Sequence, residues 1–519
     1  MSQDQLLKPS RLQGSLLVLG LLLGFMLIVR LPVIYCQPGG QDEDVYAIPG
    51  YTVSQEGIPR APYYPSRDLD SVYYKADECL FAEPPASFYW QGFFFLVFPP
   101  VYGTARLASL VAGLFAIVLV HELGRRWTGS HAVALLGAGI YSVSRLFYFP
   151  AITARPDMLC NVFGLAALLL VTVWLERRSK IQLALAGLML GFGGITHPFA
   201  IAYSIQIGLF VLWQEEGWRR KAGSFLWLVG WSLLPVLLWV PLILSFPDAA
   251  RVQIVNNLLK PAGGGLLLRL IWPWKALCHH ALLMLDHAGI VQWLLLGVGL
   301  IGSTVLDLRS GDSRRRTCTY WMWSSTYLLA ACAGVHPTKG YWCWPAAFIC
   351  LGLARVCLET GRFLERRMRL PREESSPRTA IGRLTLTLPT IVVLAALVQG
   401  SGLRASWAYL TRATDENYNA PRFAQRLLRE LPEEARYTVD IDYALDFYVA
   451  GRKTIIAQTV PFYFRAQDFP YDWLVRGRFP HMVDMPGRLN AELVRVIPTP
   501  DDPFACQASL YRQRSTVSE

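Results

Sequence analysis

Charged residues make up only 17% of the 519-residue chain, too few for a soluble protein of this length. The ten cysteines include no CxxC pair, which argues against thiolate zinc sites and dithiol redox chemistry. No segment repeats at solenoid spacing, and no low-complexity tract interrupts the sequence. The first apolar segment, residues 14–36, is too long for a signal-peptide core, and Pro32 to Gly39 lacks a clean small-residue cleavage site. A cleaved leader is therefore not expected.

Apolar length takes the place of charge. Hydrophobic residues are 53% of the chain, mean hydropathy is +0.31, and there are 17 Trp and 25 Phe. Long apolar runs alternate with short basic clusters, as in a polytopic α-helical membrane protein. The net charge of +11 sits in those short loops, a topological pattern, so no nucleic-acid partner is expected.

Lys8 and Arg11 place the N-terminus in the cytoplasm, and basic loops then recur at Arg125-Arg126, Arg177-Arg178, Trp218 to Lys221, Arg314 to Arg316 and Arg362 to Arg383. About eleven transmembrane helices satisfy the positive-inside rule. Residues 86–103, aromatic and broken by Pro99-Pro100, read as lying in or dipping into the outer leaflet. The third span is expected over residues 131–149 and the last over 384–398. The predicted organisation is a membrane module over 1–400, with a first outer loop at 36–103 carrying juxtamembrane helices, and a soluble extracytoplasmic α/β domain over 401–519.

This topology gathers ionisable residues on the outer face: Asp42, Glu43, Asp157, His197, His336 and Lys339, from different loops. Arg30 and Arg145 lie inside apolar runs near that face, where an arginine either faces a polar cavity or snorkels to the headgroups. His197, before Pro198, reads as a helix-end residue, and His121 with Glu122 as a local pair. Cys36 and Cys79 share the first outer loop, where oxidising conditions would permit a disulfide. The outer loop 247–275 contains Gly263-Gly264-Gly265 and reads as a mobile cover. In the C-terminal part, residues 437–441 and 453–457 read as strands and 421–431 as a helix. Asp440, Asp442 and Asp446 there read as surface carboxylates rather than a metal site.

Asp42-Glu43-x-x-Tyr46 followed by Gly57-Ile58-Pro59 resembles the first outer loop of the GT-C glycosyltransferases. The likeness is greatest to the protein O-mannosyltransferases and the lipid A aminoarabinose transferases. Glu83-Pro84-Pro85 with Tyr89-Trp90 is similar to the Pro-Pro motif of that loop. Ala105 to Ser109, Ala154-Arg155-Pro156-Asp157 and Lys339-Gly340-Tyr341 with Pro345 resemble later motifs, in family order. One departure stands out: aminoarabinose transferases have Glu-Lys before the prolines and mannosyltransferases a His, whereas this chain has Ala82-Glu83.

The resemblance implies an integral membrane glycosyltransferase, of hexosyl or pentosyl type, in a bacterial cytoplasmic membrane. Its donor would be a sugar on polyprenyl phosphate (undecaprenyl phosphate in the bacterial cell envelope), and its acceptor a lipid, polysaccharide or protein hydroxyl. It implies inversion at the anomeric carbon, with Asp42 as carboxylate base, assisted by Glu43 and Asp157. Tyr46, Arg60, Glu83, Arg155, His336, Lys339 and Tyr341 would bind sugar and lipid phosphate. No cofactor is required and no metal site is specified, although a divalent cation at adjacent carboxylates stays open. A lipid or glycolipid transporter, or a non-catalytic membrane scaffold, is the competing reading. A transporter would more often show inverted repeats and broken helices near the midplane.

Overall fold

The computed structural model describes residues 9–514 except 41, 64–65, 260–264, 311–312, 336–338, 368–376, 457–470, 479–483 and 498. Apolar runs without interior breakers become long helices, because in a bilayer the backbone must satisfy its own hydrogen bonds. Five described helices are long and apolar enough to cross a membrane: α1 (Pro9–Cys36), α4 (Tyr102–Thr128), α7 (Asp157–Arg177), α14 (Trp274–Ser310) and α16 (Cys343–Arg367, entered through the 3-10 turn Lys339–Trp342). Two bent pairs bring the number to seven.

One pair is α5 (His131–Val143) and α6 (Arg145–Ile152), which meet at 61°. The continuous span expected over 131–149 is thus interrupted. Ser144 is the cause: it leaves helical geometry, and its hydroxyl accepts from the Phe147 N–H, so it caps a new helix. The other bent pair joins the end of α17 (Pro377–Leu397) and the following turn to α18 (Leu403–Thr411) at 57°. Two shorter apolar helices, α8 (Lys180–Gly194) and α9 (Ala200–Gln214), pack beside α7.

α4 is the buried axis of the bundle, touching α1, α5, α6 and α7. Small residues let its neighbours approach closely. Gly124 of α4 and Gly137 of α5 both receive the side chain of Leu351 from α16, and a Cβ at either would lie 2.5 Å from it. Outward positions of α1, among them Leu17, Leu21, Phe25 and Ile28, stay exposed, as suits a helix facing lipid.

Between the spans lie shorter helices. α2 (Glu43–Glu56) and α3 (Ala86–Phe95) pack together over the end of the bundle where α4 begins. α3, with ten residues, is too short to span a bilayer. Further along are α10 (Trp218–Leu237), α11 (Val240–Ser245), α12 (Pro247–Ile254), α13 (Leu266–Ile271) and α15 (Ser313–Ala333). Gly263 and Gly264 of the expected mobile cover lie outside the described residues. α12, in the same stretch, docks on the first loop: Gln253 accepts from the Phe81 and Ala82 N–H groups (2.7 and 2.8 Å) and donates to the carbonyls of Tyr74 and Cys79 (2.7 and 2.9 Å).

The C-terminal part contains α19 (Ala420–Glu430), β1 (Arg436–Val439), α20 (Ala444–Val449), β2 (Lys453–Ile456), β3 (Trp473–Arg476), α21 (Met485–Arg488), β4 (Ala491–Ile497) and β5 (Ala508–Gln513). The strands form one sheet in the order β2-β1-β3-β5-β4, parallel across β2-β1-β3 and antiparallel across β3-β5-β4. Phe423 and Leu427 of α19 cover it against Tyr437, Val439, Val475 and Leu510.

Three expectations need correction. Asp440 and Asp442 are buried rather than surface carboxylates: they follow β1 into the interior, where Asp440 pairs with Arg476 at 2.9 Å. Burial pushes the Asp442 and Asp446 carboxyls up to about 7. Cys36 and Cys79 are free thiols in separate apolar clusters. Glu122 pairs with Arg125 and Arg126, three and four residues on, while His121 contacts Ser15 of α1.

Candidate functional site

The site is built at the start of α2. Asp42 precedes that helix in left-handed geometry (φ 64°), a conformation that Asp tolerates better than most residues. Its carboxylate caps no backbone N–H and is 57% exposed. It reaches Arg155 across the space between loops, with Nη1 donating to Oδ2 at 2.5 Å. Arg155 also donates through Nε to Asp157 Oδ2 at 2.9 Å, so one guanidinium joins two carboxylates. Asp157 opens α7, is fully buried, and leaves Oδ1 without a hydrogen-bond partner among the described residues. The nearby glycine is a steric necessity, because a Cβ on Gly340 would lie 2.4 Å from Asp157 Oδ2.

Glu43 occupies a different environment from its neighbour. It is buried against Arg106 of α4, which donates Nε to Oε1 (2.8 Å) and Nη2 to Oε2 (2.5 Å). Its oxygens also accept from the backbone N–H groups of Ala154 (2.7 Å) and Gly40 (3.0 Å). The remaining Arg106 donors reach the carbonyls of Ile34, Gln37 and Pro38. All five guanidinium N–H groups are thus engaged. The pair ties the end of α1, the start of α2, α4 and the 153–156 loop into one frame, and Glu43 holds its neighbours in place instead of facing the cavity freely.

A second group adjoins the first. Tyr46 donates to Glu83 at 3.3 Å, and Arg155 stacks 5.5 Å from the centre of the Tyr46 ring. His197 Nε2 lies 3.2 Å from Tyr341 Oη and 3.8 Å from Glu83 Oε2. His197 Nδ1 accepts from the Phe199 N–H at 3.2 Å, so in the neutral ring the proton sits on Nε2 and is shared toward Tyr341. Burial drives the His197 pKa down to about 4, which keeps that ring neutral. The helix-end reading of His197 covers its backbone position but misses this contact.

Burial raises the Glu83 carboxyl to about 7, against the opposing pull of Arg155 and of the Tyr46 hydroxyl. Its Oε2 has no hydrogen-bond partner among the described residues. Below about pH 7 Glu83 is neutral; above it, a further anion faces Asp42 and Asp157. An anionic substrate should therefore bind more weakly as pH rises through 7. We expect its KM to rise over that interval and to stay flat in Glu83→Gln; an equal rise in that variant would remove Glu83 as the cause.

Asp42 and Glu43 border a cavity of about 890 Å³ that also exposes Arg145, Tyr148, His287 and Lys339 from the bundle. Its far wall comes from the C-terminal part, including Asp440, Arg478 and Phe504. That wall is fastened by backbone contacts: the Gly39 N–H donates to the Asp442 carbonyl (3.0 Å) and Tyr102 Oη to the Ile441 carbonyl (2.8 Å). Arg30 and Arg145 stack on Tyr148 with guanidinium carbons 4.5 and 5.3 Å from the ring centre. Among the described residues neither has a carboxylate partner. Lys339 reaches the exposed Asp286 at 3.6 Å.

The sequence-predicted residues divide accordingly. Asp42, Tyr46, Glu83, Arg155, Asp157 and Tyr341 meet in one cluster, and Lys339 lines the cavity that Asp42 borders. Arg60 stands apart, paired with Glu56 on the surface of α2 at 2.7 Å. His336 lies outside the described residues. Sequence reasoning missed Arg106, although an arginine at the start of an apolar span was a signal. Among the described residues no cluster of three or more His, Cys, Asp or Glu is arranged to hold a metal.

The chain, a helical bundle carrying a small sheet, has the fold of the GT-C glycosyltransferases. More particularly, residues 82–243 match the family model of dolichyl-phosphate-mannose-protein mannosyltransferases. The structure is similar to ArnT from Cupriavidus metallidurans bound to undecaprenyl phosphate, with a TM-score of 0.59 at 15% identity over 94% of this chain and 97% of that one. The apo form of ArnT gives 0.57 at 14% identity over the same shares. The archaeal oligosaccharyltransferase AglB from Archaeoglobus fulgidus, in complex with an inhibitory peptide and a dolichol-phosphate, gives 0.50 at 14% identity over 89% of this chain and 69% of that one. No curated protein matches by sequence.

Proposed function

We propose that the protein transfers a sugar from a polyprenyl-phosphate donor to an acceptor hydroxyl at the outer face of a bacterial cytoplasmic membrane, with inversion at the anomeric carbon. About eleven spans, the N-terminus in the cytoplasm and the C-terminal domain outside, complete this reading. The observation that carries it is the meeting of Asp42, Arg155 and Asp157, from two separate loops, at the edge of a cavity with cations on its membrane side. The names of the similar structures, which bind undecaprenyl phosphate and dolichol-phosphate, supply the class of donor.

In this mechanism the acceptor oxygen gives its proton to Asp42 as it bonds to the anomeric carbon, and the sugar–phosphate bond breaks with its electron pair leaving on the phosphate. Such base assistance is worth about 10²–10⁴ in rate. The departing phosphate gains a negative charge, which Arg145, Lys339 and the free edge of Arg155 stabilise in a site sheltered by the C-terminal wall. Asp157 holds Arg155 in place, and Glu43 with Arg106 fixes the loop that presents Asp42. Tyr46, Glu83, His197 and Tyr341 offer hydroxyl, carboxyl and imidazole groups to the sugar.

The test is transfer by purified protein supplied with radiolabelled polyprenyl-phosphate sugars and membrane-derived acceptors. Label should leave the lipid in a form that depends on Arg155, and Arg155→Gln should lower transfer at least tenfold. Transfer unaffected by that substitution would remove the proposed seat for the phosphate.

A further inference from the structure

At the opposite end of the bundle is a second polar cavity that the transfer reaction does not use. α4 carries Arg106 near its beginning and Thr128 at its end; α16 begins beside Tyr341 and runs on to Arg362. At about 1.5 Å per residue, these lengths put their far ends roughly a bilayer thickness from Asp42. There Thr128, Ser130, Val133, Leu306, Arg309, Arg355, Leu358, Glu359 and Arg362 enclose about 310 Å³.

The lining is amphiphilic. Arg355 is buried and held by Asp307 and by Ser303 (3.1 Å), so its guanidinium is fixed in the wall. Arg362 pairs with Glu359 at 2.6 Å on the exposed side. Arg309, at the last turn of α14, has no ion-pair partner among the described residues. Across from these arginines α5 begins: Ser130 caps it through the Val133 N–H, so the first amide donors of a 13-residue helix point to the same end. Val133, Leu306 and Leu358 supply the apolar part. Once the two pairs are counted, one positive charge, a positive helix end and the Ser130 hydroxyl remain beside apolar walls, while the Thr128 hydroxyl donates to the Gly124 carbonyl at 2.7 Å.

We propose that this cavity binds the phosphate headgroup of an anionic phospholipid from the leaflet opposite the active site. A phosphodiester would sit between Arg309, Arg362 and the start of α5, with its glycerol and upper chains along Leu306 and Leu358. Basic pockets between transmembrane helices commonly take such headgroups. The chemistry shared with free phosphate is the anion; the leucines and valine favour the lipid.

The experiment uses the full chain in nanodiscs of phosphatidylcholine alone or with phosphatidylglycerol, and in phosphatidylcholine discs with added inorganic phosphate. Phosphatidylglycerol should raise the unfolding temperature, and native mass spectrometry should show one retained phosphatidylglycerol. Arg309→Gln, at an exposed helix end, should fold normally and lose at least five-fold of that retention. Leu358→Gln, which removes the apolar wall, should also lose it. Equal stability in all discs, retention unchanged in Arg309→Gln, or an equal gain from inorganic phosphate would each overturn the lipid assignment.

Discussion

Asp42→Asn should reduce sugar transfer by about 10²–10⁴ while leaving the protein folded and inserted. Two structural facts separate these effects. Asp42 caps nothing and is more than half exposed, so its loss costs the fold little. Its one strong contact, Arg155, keeps a second carboxylate in Asp157. The measurement is kcat in a reconstituted assay beside the unfolding temperature. A small change in kcat would show that another group takes the proton, and Asp157 would be the first to examine.

The second large effect falls on stability. Glu43→Ala should strand the Arg106 charge between α1 and α4, and Arg106→Ala should strand that of Glu43. Breaking a buried pair from one side typically costs about 3–5 kcal/mol. Here the loss is compounded because Arg106 also satisfies three backbone carbonyls. We expect either variant to lower the unfolding temperature steeply and to release the 153–156 loop, measured by hydrogen exchange at Ala154. Glu43→Gln, which keeps the shape and one acceptor, should be milder. If Glu43→Ala left stability intact but abolished transfer, Glu43 would be a reacting group and not a frame.

These expectations draw unequally on sequence and structure. The helical membrane class was readable because apolar length acts locally. The run Ala154-Arg155-Pro156-Asp157 pointed to the loop that meets Asp42, since topology sends both to the same end. What could not be read was pairing. Adjacent residues Asp42 and Glu43 look alike in the sequence, yet one turns to the cavity and the other into the bundle, which the left-handed backbone at Asp42 decides. His197 looked like a helix end because its partners, Glu83 and Tyr341, are distant in the chain. The break at Ser144 was hidden within a long run that is otherwise largely apolar. Asp440 and Asp442 passed for surface groups because nothing local announces that the chain after β1 dives beneath Gly39 and Tyr102.

The central claim is that a lipid phosphate sits against the cations of the cavity beside Asp42. Binding of undecaprenyl phosphate to the purified protein, by native mass spectrometry, tests it most directly with wild type, Asp42→Asn and the double variant Arg145→Gln/Lys339→Gln. The account predicts retention in wild type and Asp42→Asn, and at least a tenfold loss in the double variant at unchanged unfolding temperature. Undiminished binding in the double variant, or none in wild type, would contradict it.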